Sequence, residues 1–358
     1  MPPRRAVLSV DHDTFLVPER PNLGVYGEMG RRYGIEVPYT TLAPYTGSGA
    51  LPRRRLVEEL GFPISTEELR RIGISEDYHD LVAVGSAVID ILYTPDGTFR
   101  KTGGAASTTA IRLGSWGYRT GFIGRIGNDG VGKLLLEEFA AHRVDTSRLR
   151  VDAYPTDSID VRVTPAESHI QYTQKRRQIR WSANDAHYTG CAAAVYVRAG
   201  SSLFMPVAQT AKDSSTRLFV SLNGLGHDAE DLRLLGAARM DAVFGNEKEF
   251  SSIERIAGDI LGNGAMIVVT RGNKGCTIMR DVSERSYPAY RVRCLDPTGA
   301  GDAFAAGFIH GYLQQWSIDE AAPFANACGA LATTQYGARS VLPTVDEVRA
   351  FMSSRRNE

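Results

Sequence analysis

The stretch RCLDPTGAGDAFAAGF, residues 293–308, sets two acids, three glycines and a proline around the start of an apolar run. Phe304, Phe308, Ile309, Tyr312 and Leu313 recur at three- and four-residue intervals, the period of one helix face. The spacing predicts a helix starting near Gly301. Gly299, Ala300 and Gly301 then present backbone N–H groups at a helix N-terminus, where unpaired donors and the positive end of the helix dipole favour an anion. Asp302 stands at the mouth of that site.

A carboxylate beside a bound anion is repelled by it, so it needs a separate task. Taking a proton from an attacking hydroxyl is one. A turn that cradles an anion next to a base suggests phosphoryl transfer, in which catalysis is mostly positioning and charge stabilisation. For GAGD in isolation, a plain helix start with Asp complementing the dipole is the simpler reading.

The 358 residues are 43% hydrophobic, enough for a sizeable core in one large α/β domain or two smaller ones. Lys plus Arg equals Asp plus Glu at 41 each, so no net field recruits nucleic acid or an anionic membrane. A small-molecule partner fits better. Cys191, Cys276, Cys294 and Cys328 form no C-x-x-C pair and no zinc-type spacing, and MPPRRAVLSVDHD is not a leader sequence. They read as reduced, buried thiols of a cytoplasmic protein. LVAVGSAVIDILY is too short to cross a bilayer.

From Asp80 onward apolar strands alternate with helical patterns. DLVAVGSAVIDILY (80–93) reads as a buried strand running into an Asp, followed by the turn TPDG. A helix in KTGGAASTTAIRLGSWG, a strand in RTGFIGRIG and a helix in GVGKLLLEEFAAHRV follow. This order predicts a doubly wound, mainly parallel sheet flanked by helices. SIDVRVTP and SHIQYT instead alternate apolar with polar residues, predicting a small antiparallel element, either a lid or a surface hairpin. RLFVSLNGLG, DAVFGNEKEF and MIVVTRGNKGC then run strands into polar turns, the rim where open α/β sheets bind ligands.

Taken together these residues resemble the ribokinase-like (PfkB) family of small-molecule kinases. DPTGAGDAFAAGF is similar to that family's C-terminal signature, and GGAASTTAIRLGSWGYRTGFIGRIGNDGVG (103–132) to its glycine-rich N-terminal one. Asp90 after the first strand, NEKE (246–249), TRGNKG (270–275) and the final FANACGALATTQYGA fall in the family's order, over roughly 80–352. The resemblance implies an ATP- and Mg²⁺-dependent kinase acting on a sugar or nucleoside. It makes Asp302 the base and Gly299, Ala300 and Gly301 the anion hole. Asn246 and Glu249 would organise Mg²⁺ through water; an N-cap Asn with an acid in the first turn is the plainer alternative, and the accompanying motifs favour the functional role. Thr270, Gly272, Gly275 and Asn326 would line the nucleotide. Asp90, Gly103 and Gly104 would grip acceptor hydroxyls, and Asp296 with the loop near Gly337–Ser340 would hold K⁺.

Three departures qualify this. Thr108 stands where the family commonly has an Asn that touches a sugar hydroxyl. Pro297 replaces a frequent Thr, as in adenosine-kinase-like members, and tilts the acceptor toward a nucleoside. Residues 1–78 form an extension that the kinase fold (79–352, lid strands near 91–102 and 152–175) does not need. Its opening is similar to haloacid-dehalogenase-type phosphatases, but Thr14 and Phe15 break that pattern, so a structural role is expected, with ALPRRRLVEELGFPISTEELRRIGI as amphipathic helices. The competing function is a non-catalytic ligand-binding protein on the same fold. A Rossmann dehydrogenase is disfavoured, because GSAVID lacks G-x-G-x-x-G. Exposed lid edges would suit a homodimer.

Overall fold

The structure, a computed structural model, describes residues 79–164, 168–172, 179–214, 216–223 and 229–355. The expectations for residues 1–78 lie outside these. The described chain begins with β1 (His79–Val84), β2 (Val88–Thr94), β3 (Gly97–Gly103), α1 (Ala105–Ser115), β4 (Thr120–Gly127), α2 (Gly130–Ala141) and β5 (Leu149–Asp152). It continues through β6 (Ser158–Val163), β7 (Ser168–Tyr172), α3 (Ala183–Gly190), β8 (Ala192–Arg198), α4 (Phe204–Ser214), β9 (Arg217–Ser221) and α5 (Ala229–Ala237). Then come β10 (Ala242–Asn246), α6 (Glu247–Ile253), α7 (Ala257–Gly262), β11 (Met266–Thr270), β12 (Cys276–Arg280) and β13 (Ser283–Tyr287). Three helices close the fold: α8 (Ala300–Leu313), α9 (Ile318–Ala332) and α10 (Val345–Ser354).

Nine strands form the main sheet in the order β13-β12-β11-β10-β9-β8-β1-β4-β5. From β11 to β5 every pairing is parallel, and only the β11–β12 and β12–β13 pairings at one edge are antiparallel. The apolar strands alternate between two cores, because successive side chains point to opposite faces. Leu81 and Ala83 pack with α1, α2, α8 and α9, while Val82 and Val84 pack with residues of α3, α4, α5 and α7. Helices therefore cover both faces, as the doubly wound reading expects. All four cysteines are free thiols; Cys276 and Cys328 are buried, whereas Cys191 and Cys294 are partly exposed. Among the described residues no helix is long and apolar enough to cross a membrane.

The run 80–93 is not one strand. It breaks at Gly85–Ala87, so β1 joins the main sheet and β2 a separate four-stranded sheet ordered β3-β2-β6-β7. The outer pairings of that sheet are antiparallel, but β2 and β6 run parallel, with Asp90 beside Ile159. The smaller sheet thus begins at Val88, while residues 149–152 belong to the main sheet as β5. Its own apolar patch of Val88, Leu92, Ile159, Val161 and Val163 takes in Phe99 and Tyr336. Tyr336 comes from the main body. Its hydroxyl donates to Asp96 at the hairpin turn (2.7 Å) and its ring stacks on Phe99 at 5.4 Å, which holds the lid to the body.

Candidate active site

Asp302 lies in the first turn of α8. Gly299 caps this helix in the left-handed conformation (φ 76°), and no side chain caps it. A Cβ on residue 299 would fall 2.5 Å from Ala338 Cβ, so only glycine lets this turn meet the 336–340 loop. Asp296 holds the turn from below. Its fully buried carboxylate accepts from the N–H groups of Thr298 and Gly337, both at 2.8 Å. Of the three N–H groups expected to face an anion, that of Ala300 closes a turn on the Pro297 carbonyl at 3.1 Å. Gly299 and Gly301 are the remaining two.

The Asp302 carboxyl is pushed up to about 7, first by burial and then by the carboxylates of Asp90 and Glu249, against the charges of Arg112 and Arg339. Such an acid is partly ionised near neutral pH, the condition a general base requires. Asp90, 4% exposed, is likewise pushed up to about 7 by burial, which outweighs the nearby Arg339 charge. Two acids that interact this way titrate as a pair.

Asp90 explains the glycine pair that follows β3. A Cβ on residue 103 would sit 1.9 Å from Asp90 Oδ2, and one on residue 104 (φ 103°) would sit 2.4 Å from the Ser86 carbonyl oxygen. The glycines are therefore required by close packing against Asp90 and Ser86, whatever hydroxyl contacts they also make. Ser107 donates to the carbonyls of Gly103 (2.8 Å) and Gly104 (3.0 Å). Thr108 is fully buried on α1 and its hydroxyl has no partner among the described residues.

The nucleotide-side candidates are contiguous. Asn246 and Glu249 form a reciprocal cap on α6: Glu249 N–H donates to Asn246 Oδ1 (2.8 Å) and Asn246 N–H to Glu249 Oε2 (2.9 Å). The plain N-cap explanation thus holds, and the Glu249 charge is also among those that raise the Asp302 pKa. Thr270 pairs with Asn246 on one side and Cys276 on the other. Gly272 opens the short turn between them, and Gly275 lies against the Tyr287 carbonyl. Asn326, 7% exposed, donates to the carbonyls of Tyr287 (3.2 Å) and Pro288 (3.0 Å), so its amide ties α9 to that loop.

Two buried arginines escaped the sequence reading. Arg112, on the buried face of α1, donates to the Val341 carbonyl (3.0 Å). Arg339 donates to Ser107 Oγ (2.8 Å) and pairs with Glu138 (N–O 3.0 Å). Burial lowers the pKa of both, with Asp302 among the charges that oppose the shift. The available signals were a charge amid Ala110, Ile111 and Leu113, and a cation inside the loop already singled out near Gly337.

A cavity of about 490 Å³ lies at the N-terminal ends of β1 and β4, lined by His79, Arg119, Arg143, Asp145 and Tyr188 among others. His79 Nε2, the Tyr188 hydroxyl and Asp145 Oδ2 lie within 3.2 Å of one another. The His79 imidazole holds the Asp145 carboxyl well below the usual carboxylate range. This network joins β1 to α3 and is remote from Asp302.

Fold and site define a doubly wound α/β protein with a small β lid and an acid at a helix start that no side chain caps. The profile of the pfkB family carbohydrate kinases matches residues 79–345. The fructokinase of Klebsiella pneumoniae is 30% identical over 308 residues, covering 74% of this chain and 97% of that protein. The ATP-dependent ribose-1-phosphate kinase of Halopiger xanaduensis is 29% identical over 279 residues, covering 71% and 87%. Among solved structures, Arabidopsis thaliana ribokinase complexed with ribose and ATP superposes with a TM-score of 0.65 at 22% identity, covering 77% of this chain and 99% of that one. The adenosine kinase of Sinorhizobium meliloti does so at 0.66 and 20%, with the same coverage, a likeness of fold. The chain belongs to the pfkB family of carbohydrate kinases, which makes it a phosphotransferase acting on a sugar hydroxyl.

Proposed function

We propose that this chain moves the γ-phosphoryl group of ATP to a hydroxyl of a free or phosphorylated sugar, with Asp302 as general base. The carrying observation is Asp302 in the first turn of α8, just after the left-handed Gly299 turn that no side chain caps; the charges of Asp90 and Glu249 both act to raise its pKa. Asp90 and the Gly103–Gly104 turn receive the acceptor, and Asp302 takes the proton as the hydroxyl attacks. The N–H groups at the start of α8 stabilise charge on the transferred group. Thr270, Gly272, Gly275 and the neighbourhood of Asn326 line the nucleotide. The lid covers the acceptor and excludes water, a competing nucleophile.

Asn246 and Glu249 offer the hard oxygen donors that suit Mg²⁺, which keeps several waters and is held by few carboxylates. When bound, the metal neutralises phosphate charge. Both Asp296 carboxylate oxygens are engaged by N–H groups, so K⁺ beside the Gly299 turn would rest on backbone carbonyls. In this reading the kinase domain runs over 79–352, with residues 1–78 outside it. The relatives named for fructose and ribose 1-phosphate favour sugars over nucleosides, against the tilt that Pro297 suggested.

The test is ADP release from MgATP across pentoses, hexoses, sugar phosphates and nucleosides, with and without K⁺. Turnover is expected on a sugar or sugar phosphate. ATP binding without ADP release on any acceptor would favour the non-catalytic alternative, and turnover on nucleosides alone would redirect the substrate class.

A further inference from the structure

The loop 336–341 joins the lid turn, the Gly299 turn and α1 within six residues. Tyr336 binds the lid turn through Asp96, and the N–H of Gly337 binds Asp296. Ala338 lies against Gly299, and the Val341 carbonyl accepts from Arg112. The Arg339 side chain crosses to α1 and α2, reaching Ser107 and Glu138 while itself 7% exposed. Ser107 in turn holds the carbonyls of both acceptor-side glycines.

A buried ion pair is an expensive way to fill space, and apolar side chains of similar volume are often at least as stable. The guanidinium adds geometry: N–H groups fixed in one plane that can be shared between partners on different elements. Here those partners are the N-terminal turn of α1 and the body of α2, and the anchor is the loop that seats Gly299. The Arg339 charge also opposes the upward pKa shifts of Asp90 and Asp302.

We propose that Arg339 is a positioning residue that locks the acceptor-side Gly103–Gly104 turn to the Gly299 turn, so that the two halves of the site keep one fixed spacing. The inference rests on the proposed kinase reading for its catalytic consequence, but not for its structural one. A spacing error near an ångström is enough to cost about a hundredfold in a reaction governed by positioning.

The test compares the wild type with Arg339→Gln and Arg339→Lys by kinetics and by amide hydrogen exchange. In Arg339→Gln, kcat is expected to fall about tenfold to a hundredfold and the acceptor KM to rise, with the ATP KM unchanged. Arg339→Lys is expected to recover part of the loss. Exchange is expected to quicken in both 103–109 and 296–303 in the Gln variant, with α5 unchanged. Quickening confined to 336–341, or uniform quickening with a lowered Tm, overturns the proposal, as does a Gln variant with wild-type kinetics. If the wild type phosphorylates nothing, the kinase reading fails on its own, and the exchange pattern still decides the role of Arg339.

Discussion

Replacing Asp302 by Asn is expected to lower kcat about a thousandfold, within the range general bases contribute, while MgATP still binds with near wild-type affinity. The amide keeps the shape of the carboxyl but cannot take the proton of the attacking hydroxyl, and the N–H groups of the α8 turn are untouched. The same change is expected to stabilise the fold, with a definite sign in pH. The folded Asp302 titrates at about 7 against a reference of 3.8, so the folded state holds its proton more tightly than the unfolded chain. That contribution is fully present below about pH 4 and lost as pH rises through 7, where folding must carry a half-buried, partly desolvated charge that the charges of Asp90 and Glu249 oppose. At pH 8 the Asn variant should therefore be more stable than the wild type, by on the order of 2–4 kcal/mol, and the gain should vanish near pH 4. Paired urea titrations at the two pH values, with calorimetric ATP binding, check both halves. A variant that keeps its turnover removes Asp302 from the chemistry, and one equally stable at both pH values removes the buried-charge argument.

Gly299→Ala should produce the larger structural loss. Residue 299 has φ 76°, and an added methyl would meet Ala338 at 2.5 Å from its Cβ and 2.7 Å from its Cα. Left-handed strain of about 1 kcal/mol and an overpacked contact of about 1–3 kcal/mol together give a loss of roughly 2–4 kcal/mol. Because the displaced neighbour is backbone of the 336–340 loop, turnover should fall with stability. Gly301 is the control: a methyl there meets nothing within 4 Å, and Ala is the better helix former by about 1 kcal/mol. Gly301→Ala should therefore match or exceed wild-type stability, yet lose turnover because the methyl intrudes where a phosphoryl group must pass. A Gly299→Ala protein within experimental error of wild type in urea unfolding would contradict the close approach, and full activity in Gly301→Ala would place the phosphoryl group elsewhere.

Local periodicity made most of the fold legible. The helix expected to start near Gly301 begins at Ala300, and SIDVRVTP and SHIQYT do form an antiparallel pair as β6 and β7. What periodicity could not carry was the allocation of strands to sheets. In 80–93 an apolar pattern spans the break at Gly85–Ala87, because β1 is buried on both faces and β2 buries consecutive residues at its start, so burial does not mark where one sheet ends and the other begins. The parallel β2–β6 pairing joins residues about seventy positions apart, and no local turn sets such a register. In the site, Asn246 and Thr270 are neighbours because they end the adjacent parallel strands β10 and β11. The glycine pair was read for hydroxyl contacts, whereas Asp90 packed on Gly103 is the constraint the structure displays. Arg112 and Arg339 were illegible for a physical reason: a buried arginine depends on partners such as Val341, Ser107 and Glu138, which only the fold brings near.

The most direct test of the account is the pH dependence of kcat for phosphoryl transfer to the best sugar acceptor, measured between about pH 5 and 9 for the wild type and Asp302→Asn. The account predicts a wild-type rate that climbs as the coupled acids lose a proton and levels off above about 7, and a low profile without that limb in the variant. A wild-type profile flat across the range, or the same limb surviving in Asp302→Asn, would contradict the assignment of Asp302 as the base.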